Sequence, residues 1–242
     1  MSTDVRGGAS TYAGDSVIPS IFTGPGVCAC YHGIAHKFEG LGTLHSLPCE
    51  SEIFRQDTPV DMVYLIERGL IKLSHYSPTG RETLVGLRSP FWLLGAPPAI
   101  QDRLRSVTAT TLNPCKLRFI TRQHFNSLLG DLTFSRFLNC VLSLEIACYI
   151  KRMIALETMS AEERIIQLLA EIITIQTLCL TNDEISLSIP LKQKQIAQIL
   201  GMSPEHLSRL MSRLERRGLL TYSSGIISVI KPRDFLKTCP QS

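Results

Sequence analysis

No stretch of this 242-residue chain reaches the roughly 18 uncharged apolar residues that a membrane-spanning helix needs. No membrane role is expected. The N-terminus has no charged start followed by an apolar core of roughly 7–15 residues, so it does not read as a secretory leader. The eight cysteines then read as reduced thiols or ligands, not as a disulfide framework, and a cytoplasmic location is expected. Neither the thiols nor the six histidines form a nucleophile–base pattern, and no enzyme activity is expected. Net charge is only +4, too small to imply a partner by itself. What the chain has is apolar content, 44% hydrophobic against 19% charged, enough for real cores and unlike a disordered chain. At roughly 100–200 residues per domain, two domains are expected.

The distribution of charge says more than its total. Residues 1–158 hold 15 basic and 13 acidic residues, a near balance. Residues 191–237 hold nine basic and three acidic residues, a local excess of +6 that could neutralise several phosphates or form a solvated charged face.

Residues 1–36 form an N-terminal arm, Gly-, Ser-, Thr- and Pro-rich through residue 27, that reads as flexible. Between 37 and 130 short β-type runs alternate with turn signals: Glu52–Arg55, Met62–Ile66, Leu70–Tyr76, Glu82–Leu87, Ser106–Leu112 and Cys115–Ile120. Ser77-Pro-Thr-Gly80 supplies a turn. This spacing suggests a sandwich or barrel. Thr121 can cap a short helix over 122–129, and Asp131 a long one reaching residue 156. Seventeen of the 25 residues in 132–156 are apolar, in two stripes. A helix apolar on two sides needs cover on two sides: its own barrel and, most simply, the same helix of a second subunit. Leu138, Leu142, Tyr149 and Met153 are the expected dimer seam. A hinge is expected at Thr158-Met-Ser160, a helix over 161–176 with the capping-box pair Ser160 and Glu163, and a short strand near 185–189.

The most specific signal runs from Gln193 to Ser212. Ala197 is small where a second helix would cross closely, and Gly201 can take the positive φ of a tight turn. Ile196, Leu200, Leu207 and Leu210 fill the wedge between the two helices. Ser203 caps the second helix, and Pro204 stands at its first position, where a missing N–H does no harm. Leu219–Tyr222 and Ile226–Ile230 read as a hairpin. The whole is a winged helix-turn-helix. Glu205, Ser208 and Arg209 share one face at the groove-entering end of the second helix and are the expected base readers. Lys192, Lys194, Ser203, Arg213 and Arg217 are the expected backbone contacts.

On these residues the chain resembles the CRP/FNR family of bacterial transcription regulators over about residues 40–237. Glu52-Ile-Phe, Val63-Tyr-Leu-Ile-Glu-Arg-Gly69, Gly80-Arg-Glu82 and Arg105-Ser106 look like that family's sensor barrel, in order. Glu205-His-Leu-Ser-Arg209 is similar to the FNR-type recognition helix, which reads a TTGA-containing half-site. The resemblance implies an α+β fold: an N-terminal double-stranded β-helix (jelly-roll) barrel over 37–130, a dimerisation helix and hinge over 131–158, and a winged helix-turn-helix domain over 159–242. It also implies a homodimer on palindromic double-stranded DNA, an allosteric signal sensed at the barrel, and RNA polymerase as a partner.

The departures lie in the sensor. Gly95, Ala96, Arg105 and Ser106 are the expected effector pocket. In cyclic-nucleotide members a Glu at the position of Ala96 holds the ribose, so cAMP is not expected, and Arg105 could equally be a surface or interface charge. Cys28, Cys30, Cys49 and Cys115 do not reproduce the spacing of the FNR-type iron–sulfur ligands, and a small buried thiol is the plainer reading of Cys115. Cys28, Cys30, His32 and His36 lie closer together than zinc-finger ligands. Neither an iron–sulfur cluster nor zinc is expected, and the cofactor is left open. Two other classes compete with this reading: a cyclic-nucleotide-binding module of a signalling protein, which would not need residues 193–230, and a cupin-like metal enzyme, for which only His45 and His75 are near.

Overall fold

A computed structural model describes residues 41–177, 186–187, 191–223, 226–229 and 235. The arm and its Cys28, Cys30, His32 and His36 lie outside the described residues, as do residues 37–40 of the expected barrel.

Eight strands build the N-terminal unit: β1 (Thr43–Leu47), β2 (Glu52–Phe54), β3 (Met62–Arg68), β4 (Ile71–Tyr76), β5 (Glu82–Arg88), β6 (Leu93–Leu94), β7 (Thr108–Thr111) and β8 (Cys115–Thr121). They form two four-stranded antiparallel sheets, ordered β1-β8-β3-β6 and β2-β7-β4-β5. β-Branched and leucine-rich runs such as Met62-Val-Tyr-Leu-Ile66 supply residues that fit a pleated, buried surface. Val63, Leu65, Ile66, Ile71, Leu117 and Ile120 are fully enclosed between the sheets and their covering helices. The turn joining β4 to β5 closes through the Gly80 N–H, which donates to the Ser77 carbonyl at 2.8 Å. The expected strands are all present. Three elements had no clear sequence signal: β1, an exposed edge strand, the two-residue β6, and α1 (Ala96–Gln101), which begins in the proline-containing stretch. Pro97 and Pro98 fit there because the first helical positions need no N–H partner.

After α2 (Arg122–Leu128), the long helix α3 (Leu132–Thr158) starts at Asp131, whose carboxylate accepts from the Phe134 N–H at 2.8 Å. Phe134, Phe137, Leu138 and Val141 pack into one core with Val63, Leu65, Ile120 and Phe125 of the barrel unit. Leu138 is therefore not on the free face of α3. It is buried against its own barrel, and Leu142 packs partly buried beside it. The exposed apolar side chains of α3 are Leu132, Ile146, Tyr149, Ile150, Met153, Ile154 and Leu156. Periodicity identified two stripes but assigned Leu138 to the wrong one. Residues 137 and 138 both fall within the arc that meets the barrel.

The link from α3 to the next helix is short and well fastened. The Ser160 N–H donates to the Glu163 carboxylate at 2.7 Å, and the Glu163 N–H donates to the Ser160 hydroxyl oxygen at 3.2 Å. Arg164, one turn into α4 (Ala161–Thr177), reaches back to the Leu156 and Met159 carbonyls at 3.1 and 2.9 Å. A cation at the last carbonyls of a helix favours that terminus.

The C-terminal unit continues with β9 (Ser186–Leu187), α5 (Gln193–Ile199), α6 (Pro204–Arg216), β10 (Leu220–Ser223) and β11 (Ile226–Val229). The two hairpin strands pair antiparallel, and β9 adds to β11. The expected short strand is present, with only 186–187 of its residues described. The core of this unit comprises Ile165, Leu169, Ile173, Ile196, Leu200, Leu207 and Leu214, and it continues into Leu70, Leu84, Leu87 and Leu112 of the barrel. The two units therefore share apolar packing within one chain.

Candidate functional site

Between α5 and α6 the chain turns at Gly201, φ +63°. The Met202 N–H donates to the Ala197 carbonyl at 3.0 Å. A side chain at Gly201 would need the left-handed conformation, and its Cβ would meet Leu156 Cδ2 of α3 at 2.7 Å. Ala197 is buried at the crossing, as its size requires.

α6 opens on Ser203, whose hydroxyl oxygen accepts from the His206 N–H at 3.2 Å. Leu207, Leu210, Met211 and Leu214 bury one face against α5 and the wing, and Glu205, Ser208 and Arg209 stand exposed on the other. Hydrogen bonds from its own backbone N–H and from Ser203 hold the Glu205 carboxyl below the ordinary carboxylate value, with Arg209 adding to the effect. Glu205 is therefore ionised near neutral pH and able to accept from a base amino group. The three expected base readers thus lie on one accessible surface at the start of α6.

Lys192 and Lys194 are exposed at the start of α5. Arg213 and Arg217 are exposed too, but both engage Glu162 of α4, Arg213 at 3.7 Å and Arg217 in a close ion pair. A phosphate that reaches Arg217 exchanges one anionic partner for another.

The second site is a partly open pocket of about 240 Å³ where α1, β5 and α3 meet. Gly95, Arg105 and Ser106 line it. Ala96 does not: as the first residue of α1 its methyl is fully buried in the barrel core, among residues that include Leu93 and Ala99. Arg105 is not a surface charge. It is 1% exposed, stacks on Phe54 at 4.1 Å, and donates to the Met62 carbonyl at 2.8 Å and to Asp61 at 3.3 Å. Its Nη1 has no partner. Gly95 is required beside it, because a Cβ there would stand 2.6 Å from that nitrogen.

Sequence reasoning missed the rest of this wall. Arg88, at the end of β5, is 5% exposed and lies 4.1 Å over the Trp92 ring. It donates to Glu145 of α3 at 3.1 Å and to the Tyr149 hydroxyl, which itself donates to Glu145 at 3.4 Å. Tyr149, expected in the dimer seam, is thus exposed on its ring and engaged at its hydroxyl. The available signal was an arginine closing an apolar strand, where a charge has to find a partner inside.

The cysteines part company. Cys115 is buried and donates to the Asn113 carbonyl at 3.1 Å. Burial pushes its thiol up to about 11. Cys49 is exposed. Among the described residues no group of three or more His, Cys, Asp or Glu is arranged to hold a metal ion. His45 and His75 are both exposed on strands of different sheets, so the cupin-like reading has no ligand set there.

A jelly-roll sensor unit joined through one long helix to a winged helix-turn-helix defines a DNA-binding transcription regulator. Residues 44–131 match the cyclic nucleotide-binding domain, and residues 163–237 match the Crp-like helix-turn-helix domain. The chain is 25% identical over 209 residues to the transcriptional activatory protein AadR of Rhodopseudomonas palustris, covering 82% of each chain. It is 24% identical over 196 residues to the nitrogen fixation regulation protein FixK of Bradyrhizobium diazoefficiens, covering 81% of each. Its fold is similar to that of FixK2 from Bradyrhizobium japonicum, with a TM-score of 0.64 at 20% identity, covering 84% of this chain and 99% of that one. The chain belongs to the CRP/FNR family of transcription regulators. Among the described residues no helix is long and apolar enough to cross a membrane.

Proposed function

We propose that this regulator acts in the cytoplasm as a homodimer on inverted TTGA-type half-sites, with no catalytic role, and contacts RNA polymerase from the bound site. The observation that carries the reading is the exposed Glu205, Ser208 and Arg209 face at the capped end of α6. Arg209 pairs with guanine and Glu205 accepts from cytosine N4, while Lys192, Lys194, Ser203, Arg213 and Arg217 hold the phosphates. The exposed apolar residues of α3, Ile146, Ile150 and Met153 among them, support a dimer through that helix. Two-fold symmetry then sets half-sites about one helical turn, roughly 34–36 Å, apart.

Selection from a random DNA pool tests this. An inverted repeat containing TTGA is expected. Arg209→Ala should cost roughly 1–3 kcal/mol per bidentate contact and relax preference at the guanine. Arg217→Ala should weaken binding about equally on all sequences and flatten its salt dependence. Enrichment of no inverted repeat, or an unchanged base preference in Arg209→Ala, refutes the reading.

A further inference from the structure

Glu162 holds two arginines at once. It stands in the first turn of α4, one residue before the Glu163 that caps the helix together with Ser160. Arg164, reaching back to the carbonyls of α3, fastens the same turn. The Glu162 carboxylate is therefore presented from a well-fixed backbone, at a helix end where the dipole favours negative charge. Arg213 and Arg217 lie four residues apart on α6 and so share a face. Both close on this one group, each through its Nη1 and each on a different carboxylate oxygen. The two arginines are 60% and 51% exposed, against 23% for Glu162. Ion pairs as exposed as these add little to the stability of a fold. Their main consequence is electrostatic: they cancel positive charge on the surface assigned above to the phosphates. Other cations of that surface are not so held. Lys194 and Arg216 are exposed, and among the described residues neither meets a carboxylate at ion-pair distance. Glu215, the other acid at this end of α6, accepts instead from the Tyr222 N–H of the wing at 3.2 Å.

We propose that Glu162 is a built-in competitor of the DNA backbone. In the free protein its carboxylate occupies Arg213 and Arg217. On DNA the phosphates displace it, and the released carboxylate stays beside the duplex as an uncompensated negative charge. Glu162 thus lowers affinity for every duplex alike, since a phosphate contact carries no base information. The choice of sequence is left to Glu205, Ser208 and Arg209. A regulator restrained in this way spends less time on random DNA. The inference rests on the reading of Arg213 and Arg217 as phosphate contacts.

The full-length wild type and Glu162→Gln are titrated by fluorescence anisotropy against two labelled duplexes, one carrying the inverted TTGA repeat and one scrambled, between about 50 and 200 mM salt. Glu162→Gln keeps the side-chain shape and removes the charge. It should bind both duplexes about fivefold tighter or more, with the ratio between them unchanged within about twofold. The salt dependence should steepen by about one phosphate per protomer, because the interface gains one positive charge. Removing any acid near DNA would also tighten binding, so the substitution is repeated in a background carrying Arg213→Gln and Arg217→Gln. With no arginine to release, Glu162→Gln should there change affinity by less than about twofold. Glu162→Asp draws the carboxylate back by one methylene and should fall between wild type and Glu162→Gln. It keeps the test open if the Gln variant folds poorly. Three results overturn the proposal: unchanged or weaker binding of the scrambled duplex, tightening confined to the TTGA duplex, or the full effect persisting without the two arginines. Failure of the base-reading assignment looks different. A wild type that binds both duplexes equally refutes the base readers and leaves the Glu162 effect measurable on either. A wild type with no affinity for any duplex at low salt overturns both readings.

Discussion

A thiol serves as a metal ligand or nucleophile only to the extent that it sheds its proton. At Cys115 burial works against that, raising the thiol to about 11, with the backbone at Leu70 and Asn113 only partly opposing it. At neutral pH it stays protonated. Treatment of the native protein with iodoacetamide, followed by peptide mass spectrometry, should label exposed Cys49 and leave Cys115 unmodified until the chain is unfolded. Equal labelling of both in the native state would contradict the packing described. The buried thiol was readable in the sequence, because an apolar strand surrounds it. Arg105 was readable as a position but not as a buried charge, since the aromatic partners that enclose it, Phe54 and Tyr64, are distant in the chain. Arg88 was readable as a charge closing an apolar strand but not in its partners, since Glu145 and Tyr149 arrive from a helix 57 and 61 positions later.

The long helix α3 divides its apolar surface by height as well as by face. Its first half, Phe134 to Val141, is spent on the barrel, and its second half leaves Ile146, Ile150, Met153 and Ile154 exposed. The two halves should respond differently to substitution. Met153→Glu or Ile150→Glu should leave the fold intact, yield monomers in sedimentation, and weaken DNA binding together with dimerisation. Leu138→Ala should instead lower stability by roughly 2–5 kcal/mol, read from denaturant unfolding, because it empties a packed site. A monomeric wild type at micromolar concentration would remove the basis for the first expectation. Caps, turns and the helix-turn-helix were legible because they are local: Asp131, Ser160 with Glu163, Ser203 and Gly201 each act within a few residues. The partner of each apolar stripe was not, since a period fixes a face but not what lies against it.

Across the whole chain, the hairpin β4–β5 and helix α5 are joined by polar as well as apolar contacts. The Leu84 N–H donates to the Gln198 side-chain carbonyl at 3.0 Å. Arg152 spans the Val85 and Ile199 carbonyls at 2.8 and 3.1 Å. Glu82 accepts from Ser74 at 2.7 Å and Lys72 at 3.0 Å, and Gln195 approaches it at 3.5 Å. Burial raises the Glu82 carboxyl, but the bonds from Ser74 and Lys72 outweigh it and hold it below the ordinary carboxylate value. A carboxyl lowered by folding contributes stability above its unfolded value, and that contribution fades as pH falls through the lower folded value. The melting temperature of Glu82→Gln should therefore fall below that of the wild type near neutral pH. The difference should shrink as the pH drops below about 4. A gap that persists or widens in acid would show that the charge of Glu82 is not what matters.

The apolar continuity from Leu70, Leu84, Leu87 and Leu112 into α4, α5 and α6 bears on how freely such a regulator exchanges its parts. A DNA-reading half that finishes its own interior could be cut out and grafted onto any sensor. This one finishes its interior with four leucines borrowed from the sensor. A chimaera that moves residues 161–242 onto a foreign barrel inherits the recognition helix but not the surface that helix-turn-helix was shaped to meet. It should be poorly soluble unless the donor leucines, or their equivalents, travel with it. Changes of target sequence are therefore more readily reached by substitutions on the exposed face of α6 than by recombination at the hinge.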